Sequence, residues 1–268
     1  MSAASQTLRQ FRFTNTAFWR NPASAFFTFA FPLMFLVIFT SLLGEGQVEL
    51  ERIDLDTTTY YVGAMAAFGV ISACFTNIAI QTTFNRDAGI LKRLRGTPLP
   101  AASYMSARVF HAMVVGAILV IITLLFGRSV YGSPLPTGMP LVEFVVTFLV
   151  GALAFAALAL AVTAVIPNAD AAPPVVNAII LPLLFLSGIF IPLGEGAPEW
   201  MKVIGNVFPV KHFAEAMRAG FLGDVVVRTP VGVREAFPFD WWDVAIVAAW
   251  GLVGLVLAAR FFSWEPRR

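Results

Sequence analysis

Charge and cysteine are what this 268-residue sequence has least of. Charged residues make up 13% of it and hydrophobic ones 58%, where an ordinary globular domain carries about 25% charged and roughly 45–50% apolar residues. So little charge cannot clothe a water-facing surface, and a mean hydropathy of +0.79 predicts an integral membrane protein. The lone cysteine, Cys74, excludes an intrachain disulfide framework and a cysteine-based metal site. Inside an apolar run it reads as a small core residue. Imidazole comes only from His111 and His212; they lie far apart with no carboxylate at ligand spacing to either, so no metal is expected. A net charge of +2 is too small to point to nucleic acid. The pattern G-x-x-x-x-G-K-[ST] is absent, and the expectation is a chain with no ATP site of its own.

Long apolar runs are what the sequence has instead. They cover residues 23–43, 60–82, 101–126, 141–166, 173–192 and 244–262, each near the length of about 20 residues that a helix needs to cross a bilayer. The fold class predicted is all-α integral membrane with six transmembrane helices. The first run has no small-residue cleavage site after it, so it is expected to be retained rather than removed as a signal peptide. With the N-terminus in the cytoplasm, the inside segments hold Arg9, Arg12, Arg20, Arg86, Lys92, Arg93, Arg95, Arg108, Arg260, Arg267 and Arg268. The outside segments hold Arg52, Arg128, Lys202, Lys211, Arg218, Arg228 and Arg234. That bias favours both termini inside. Glu45, Glu49, Glu51, Asp54 and Asp56 make the first outer loop acidic, in keeping with this orientation.

Two domains are read. Residues 1–22 interleave Leu8, Phe11, Phe13, Phe18 and Trp19 with three arginines, the pattern of an interfacial amphipathic helix in contact with membrane lipid. Residues 23–268 form the six-span membrane domain. Pro32 and Pro182 predict kinks in the first and fifth runs. The fourth run is rich in Gly and Ala from Gly151 to Ala164, which predicts close helix packing inside the bundle. After Pro192 two half-apolar stretches, one around Trp200 to Phe208 and one over 212–221, are too short to span and too apolar to float free. They are expected to be re-entrant or interfacial outer helices within 193–223. Trp241 and Trp242 mark the outer interface of the last run.

Between the second and third runs lies FNRDAGILKRLRGTPLP, residues 84–100. Phe84, Ala88, Leu91 and Arg95 follow one helical row with Ile90 and Leu94 beside it, while Arg86, Asp87, Lys92 and Arg93 take other faces. A helix over 84–98 is expected to project from the membrane. Amphipathicity alone leaves two occupants open: a groove on a soluble partner, or anionic lipid.

The spacing R-[DE]-x-G-x-L-x-x-L-R-x-[ST]-P, carried by Arg86, Asp87, Gly89, Leu91, Leu94, Arg95, Thr97 and Pro98, resembles the cytoplasmic loop of type-2 ATP-binding-cassette (ABC-2 type) exporter permeases of the daunorubicin-resistance kind. A second stretch, residues 181–223, is similar to the fifth span and outer helices of that family through Ser187, Gly188, Phe190, Pro192, Pro198, Trp200, Pro209 and Arg218. Asn85 and Ile90 depart from the commoner acidic residue and Thr of the family. The resemblance implies a permease half in the bacterial plasma membrane. It would pair with a second copy of itself and with two cytoplasmic ATPase subunits that carry ATP and Mg. ATPase closure would push on Arg86, Asp87, Gly89, Leu91, Lys92, Arg93, Leu94, Arg95, Thr97 and Pro98, the halves would rock, and a hydrophobic or amphiphilic substrate (drug, lipid or lipid-linked glycan) would leave outward.

Asn77, Gln81, Thr163, Asn177 and Ser187 are the polar residues that can line a substrate path; interhelical hydrogen bonds are the other reading of each. Arg108 and His111, one turn apart, read as a packing or lipid contact, with Arg108 near enough to the cytoplasmic face to snorkel. An intramembrane lipid-modifying enzyme would need clustered Asp, His or Ser within the spans, and none is visible in the sequence. A six-span membrane component of haem or cytochrome maturation shares the same plan.

Overall fold

A computed structural model describes residues 3–43, 47–50, 53–97, 99–192, 197–223, 226–229, 232–235 and 238–265. Pro98, the acidic loop residues Glu45 and Glu51, Arg52, and the segment 193–196 lie outside the described residues. The chain opens with α1 (Ala3–Trp19) and turns into α2 (Pro22–Leu43). At that turn the Asn21 side chain accepts from the backbone N–H of Ser24 at 3.2 Å, and Pro22 takes the first helical position, where no N–H is needed. A hairpin of β1 (Gln47–Leu50) and β2 (Ile53–Asp56) leads to α3 (Thr57–Ile71). One π-helical turn, Ser72–Thr76, joins α3 to α4 (Asn77–Asp87), and α5 (Ile90–Arg95) follows. Then come α6 (Ala101–Tyr131), α7 (Met139–Val162), α8 (Ala172–Phe185), α9 (Glu199–Val207) and α10 (Pro209–Leu222). A second antiparallel hairpin, β3 (Val226–Thr229) with β4 (Gly232–Glu235), precedes α11 (Trp241–Phe261).

Among the described residues, five helical stretches are long and apolar enough to cross a membrane: Pro22–Leu42, Thr58–Asp87, Ala102–Tyr131, Met139–Val162 and Trp241–Phe261. The apolar run 173–192 departs from the prediction, because its helix, α8, has only 14 residues. At 1.5 Å per residue it reaches about 21 Å, short of a hydrocarbon core of about 30 Å. Apolarity continues to Pro192 but the helix does not. The Ser187 hydroxyl donates to Leu184 O at 2.7 Å, satisfying a carbonyl of the last turn, and Gly188 turns the chain at φ 72°, a conformation glycine adopts without strain.

The centre of the bundle is α3, in which every residue over 59–71 is buried. It packs on α2, α6 and α10, and the small-residue helix α7 lies against α10 and α11. Gly151 of α7 makes room for the Phe213 ring of α10: a Cβ there would stand 2.0 Å from it. The outer surface carries exposed Phe27, Leu42, Ile121, Leu252 and Val256, as befits helices whose solvent is hydrocarbon. Exposed Trp241 and Trp242 open α11, where Asp240 accepts from the Trp242 N–H at 2.8 Å.

Candidate functional site

The segment read from sequence as one helix over 84–98 is two helices with a break. α4 ends at Asp87; Ala88 N–H donates to Phe84 O at 2.9 Å and Gly89 N–H to Arg86 O at 3.0 Å. Gly89 then adopts φ 68°, a left-handed turn that costs a residue with a Cβ roughly 1–2 kcal/mol. α5 restarts in a new direction. The Arg93 guanidinium bends back to donate to Ala88 O at 3.1 Å and Gly89 O at 3.4 Å, and Thr97 closes the far end by donating to Leu94 O at 2.7 Å.

The break separates two sets of residues that the helical wheel had mixed. Arg86, placed by periodicity on a polar outer face, is 2% exposed. Its Nη1 donates to Thr163 O at 2.8 Å and its Nη2 to Ile166 O at 2.7 Å and Pro167 O at 3.3 Å. These carbonyls belong to the end of α7 and the turn beyond it, where a helix leaves its last acceptors unpaired and its dipole favours a cation. Asp87 takes the other side of the same turn: its carboxylate accepts from the Ala169 N–H and lies 3.6 Å from Arg86 Nε. Asn168 starts α8 by accepting from Ala171 N–H at 2.9 Å. Arg86 and Asp87 therefore bolt the α4–α5 break to the α7–α8 turn, Arg86 buried and Asp87 partly exposed. Leu91 is the buried anchor of α5, while Lys92, Arg93, Arg95, Gly96 and Thr97 are exposed and Leu94 is half-buried. Arg95 reaches Glu265 beyond α11 at 3.6 Å, but both side chains are well exposed and such a pair contributes little.

Three of the five polar residues read as a path meet in one groove. Asn77, Gln81 and Asn177 line a space of about 500 Å³ between α2, the π turn with α4, and α8. Thr163 and Ser187 do not join them. Thr163 is buried, donates to Leu160 O at 2.6 Å and lends its carbonyl to Arg86, while Ser187 closes α8. Both hydroxyls bond local backbone, as Thr and Ser side chains can within a helix.

At the opposite end of the bundle, tyrosines on α3 hold the turn after α8. Tyr60 donates from Oη to Gly188 O at 2.6 Å and Tyr61 from Oη to Phe190 O at 3.0 Å. Arg218 of α10, 5% exposed, donates from Nη1 to Tyr60 Oη at 2.9 Å and to Gly188 O at 3.0 Å. The sequence signal for this knot was a Tyr pair opening an apolar run and an arginine inside an apolar helix, and neither names its partner.

The fold also assembles a cluster that sequence spacing missed. His212, Glu215 and Asp243 bring their ligand-capable atoms within 4.8 Å of one another. The His212 ring stands between two acceptors, Nδ1 at 2.7 Å from Asp243 Oδ1 and Nε2 at 2.9 Å from Asn206 O, and it bonds to both only as an imidazolium. The hydrogen bond to Asp243 raises the His212 pKa above its ordinary value against the opposing effect of burial, and the Asn206 carbonyl adds to the rise. A raised folded-state pKa gives stability that is complete below the unfolded value of about 6.5 and is lost as pH rises through the folded value. Asp243→Asn keeps an acceptor but removes the charge. Its melting temperature is expected to fall below wild type in mild acid by the equivalent of roughly 1–2 kcal/mol, with the gap narrowing as pH rises past the folded-state pKa. A gap that does not change with pH would contradict the assignment.

The chain is similar to known proteins over most of its length. A family model described as ABC-2 type transporter matches residues 5–222. The daunorubicin resistance ABC transporter permease protein DrrB1 of Streptomyces coeruleorubidus is 30% identical over 251 residues, covering 92% of this chain and 80% of that protein. A transport permease, YvfS, of Bacillus subtilis (strain 168) is 24% identical over 208 residues, covering 75% and 81%. A transport permease, ycf38, of Porphyra purpurea is 26% identical over 204 residues, covering 75% and 68%.

Proposed function

The chain belongs to the ABC-2 type transporter family, as a multi-pass membrane permease subunit of an ABC transporter, and on that premise we propose how it works. Two permease halves, the second a copy of this chain, span the bacterial plasma membrane with both termini in the cytoplasm. The chain crosses six times, the short α8 and the turn after it completing the crossing begun at the α7–α8 turn. Two cytoplasmic ATPase subunits, holding ATP and Mg, dock on α5. Substrate, a hydrophobic or amphiphilic molecule such as a drug, lipid or lipid-linked glycan, moves outward by alternating access. Asn77, Gln81 and Asn177 line its way.

The observation that carries this reading is the bolt of Arg86 and Asp87. A short basic helix resting on membrane lipid needs no rigid link to the next pair of helices, whereas a lever does. Force on the exposed face of α5 reaches α4 through the Gly89 break and reaches α7 and α8 through the three carbonyls held by Arg86. Reversing the exposed charges without touching the bolt separates docking from folding. Lys92→Glu with Arg95→Glu is expected to lower co-purification of the cognate ATPase, and ATP-driven transport with it, by at least about ten-fold, two lost charged contacts at 1 kcal/mol or more each. The melting temperature of the isolated permease should not move. Wild-type ATPase capture and transport in that variant would overturn α5 as the docking helix.

A further inference from the structure

Near the end of the bundle that carries α5, the helices α1, α4 and α6 converge on two side chains that each keep one buried polar atom without a partner. Arg108 and His111, one turn apart on α6, are 8% and 9% exposed. Arg108 donates from Nη1 to Tyr104 Oη at 3.2 Å and its guanidinium stands 5.7 Å from that ring's centroid. Its buried Nε has no partner, and none of the ion pairs among the described residues includes it. The buried Nδ1 of His111 is also without a partner, and the ring is walled by Phe11 and Phe18 of α1 at centroid distances of 6.3 and 5.4 Å. A guanidinium keeps its charge under all conditions a protein meets. Buried in a membrane bundle with no counter-charge among the described residues, such a charge points to function.

What faces the pair is open space. Both residues line a cleft of about 460 Å³, with Gln10, Asn85 and Tyr104 among its polar walls. Ser24, Asn77 and Gln81 line both this cleft and the groove of about 500 Å³ described above. That groove is walled by Phe27, Phe31, Ile80, Leu181 and Leu184. One end is cationic and rich in hydrogen-bonding groups, and the other is apolar. Among the described residues no carboxylate lines either space, so a cationic head would find no ionic partner in them.

We propose that cleft and groove form one binding site for an anionic amphiphile, its phosphate or carboxylate head held by Arg108 and His111 and its hydrocarbon chain laid between α2 and α8. Binding depends on these residues alone; the further step, that the ligand is cargo, rests on the permease reading. The polar junction of Asn77 and Gln81 lets the head cross between the two spaces without losing all of its hydrogen bonds. α1, through Phe11 and Phe18, closes the head end from the side.

The test uses the purified full-length chain in neutral detergent and two single-chain probes, oleoyl lysophosphatidic acid and oleoyl lysophosphatidylcholine. Wild type is expected to bind the acidic probe at least about ten-fold more tightly, as a charge-assisted hydrogen bond in a buried site predicts. Arg108→Gln should reduce that preference to about two-fold or less, and Arg108→Lys should keep most of it. Arg12→Gln, which removes an exposed arginine of α1, should leave it unchanged. Leu181→Trp, at the half-exposed rim of the apolar groove, narrows the tail end without disturbing the core and should weaken both probes, which keeps the proposal testable if Arg108→Gln fails to fold. Unchanged preference in a folded Arg108→Gln, or an equal loss in Arg12→Gln, would overturn the site. Adding the cognate ATPase and ATP in proteoliposomes distinguishes the sources. Movement of the bound acidic probe identifies cargo, and retained binding without movement identifies a resident lipid; either outcome supports the site. Loss of the ATPase complex with binding intact would count against the permease reading only.

Discussion

Replacing Arg86 with glutamine is expected to uncouple this permease: the chain still inserts, but ATP-driven transport falls by at least about ten-fold and the folded state loses roughly 2–4 kcal/mol. The stability figure follows from what the guanidinium does. It is buried, and it satisfies three carbonyls at the end of α7 that no other described hydrogen bond supplies; each buried acceptor left unpaired costs about 1–3 kcal/mol, of which glutamine, with one amide group and a shorter reach, recovers part. The transport figure follows from geometry. Without the fork, the hydrogen bond left between the end of α4 and the α7–α8 turn among the described residues is that of Asp87 with the Ala169 N–H, and motion at α5 is absorbed at the break rather than passed on. Arg86→Lys tests the fork itself, because an ammonium keeps the charge but lacks the planar donor pair; it should restore part of the stability and less of the transport. Thermal melting of the permease and transport by the reconstituted complex are the two readouts. If Arg86→Gln melted and transported like wild type, the bolt would be an ornament of the fold and the lever would have to run elsewhere.

The second large effect is expected at Gly254, where α11 meets α7. A Cβ on Gly254 would come 2.8 Å from Leu158 N and 3.0 Å from the Ala157 carbonyl carbon, and one on Gly251 would come 2.8 Å from Ala154 Cβ and 2.9 Å from its Cα. The obstacles are largely backbone, which cannot swing aside as a side chain can. These two glycines, one turn apart, face the small-residue helix α7 at a close approach of the two backbones, the arrangement by which membrane helices gain packing without a hydrophobic driving force. Gly254→Val must therefore part the two helices. A loss of at least about 3 kcal/mol is expected, at the upper end of overpacking in well-filled cores, seen as aggregation on size exclusion and a lowered melting temperature in detergent. Leu252→Ala, on the lipid-facing side of the same helix, should change neither. A Gly254→Val protein that elutes and melts like wild type would mean that the α7–α11 contact is looser than the helices' spacing indicates.

Much of the architecture was legible beforehand, for a reason that differs from element to element. The runs that became α2, α3 with α4, α6, α7 and α11 could be read because membrane insertion depends on the summed apolarity of a contiguous stretch. The alanines and glycines of α7 pointed correctly to close packing, although it was Gly251 and Gly254 on the other side that completed it. The helix in the run 173–192 is shorter than the run because apolarity does not tell a helix from an apolar turn; Ser187 and Gly188 end α8, and Tyr60, Tyr61 and Arg218 from distant segments take up the freed carbonyls. The helical wheel over 84–98 misled for a different reason. It assumed one axis, and Gly89 supplies a left-handed turn that puts Arg86 and Lys92 on unrelated surfaces.

Sequence by itself determined that the chain is a membrane protein, where its long apolar helices lie, and, through the spacing from Arg86 to Thr97, which family it resembles. Those are properties of contiguous residues, set by transfer free energies and local backbone preferences that add along the chain. Tertiary structure alone decided which polar groups meet: Arg86 with the end of α7, His212 with Asp243, Arg218 with Gly188, and Arg108 with an open cleft. Each pairing depends on which distant backbone ends and side chains are left unsatisfied once the helices have packed, and until that packing is known a buried charge has no address.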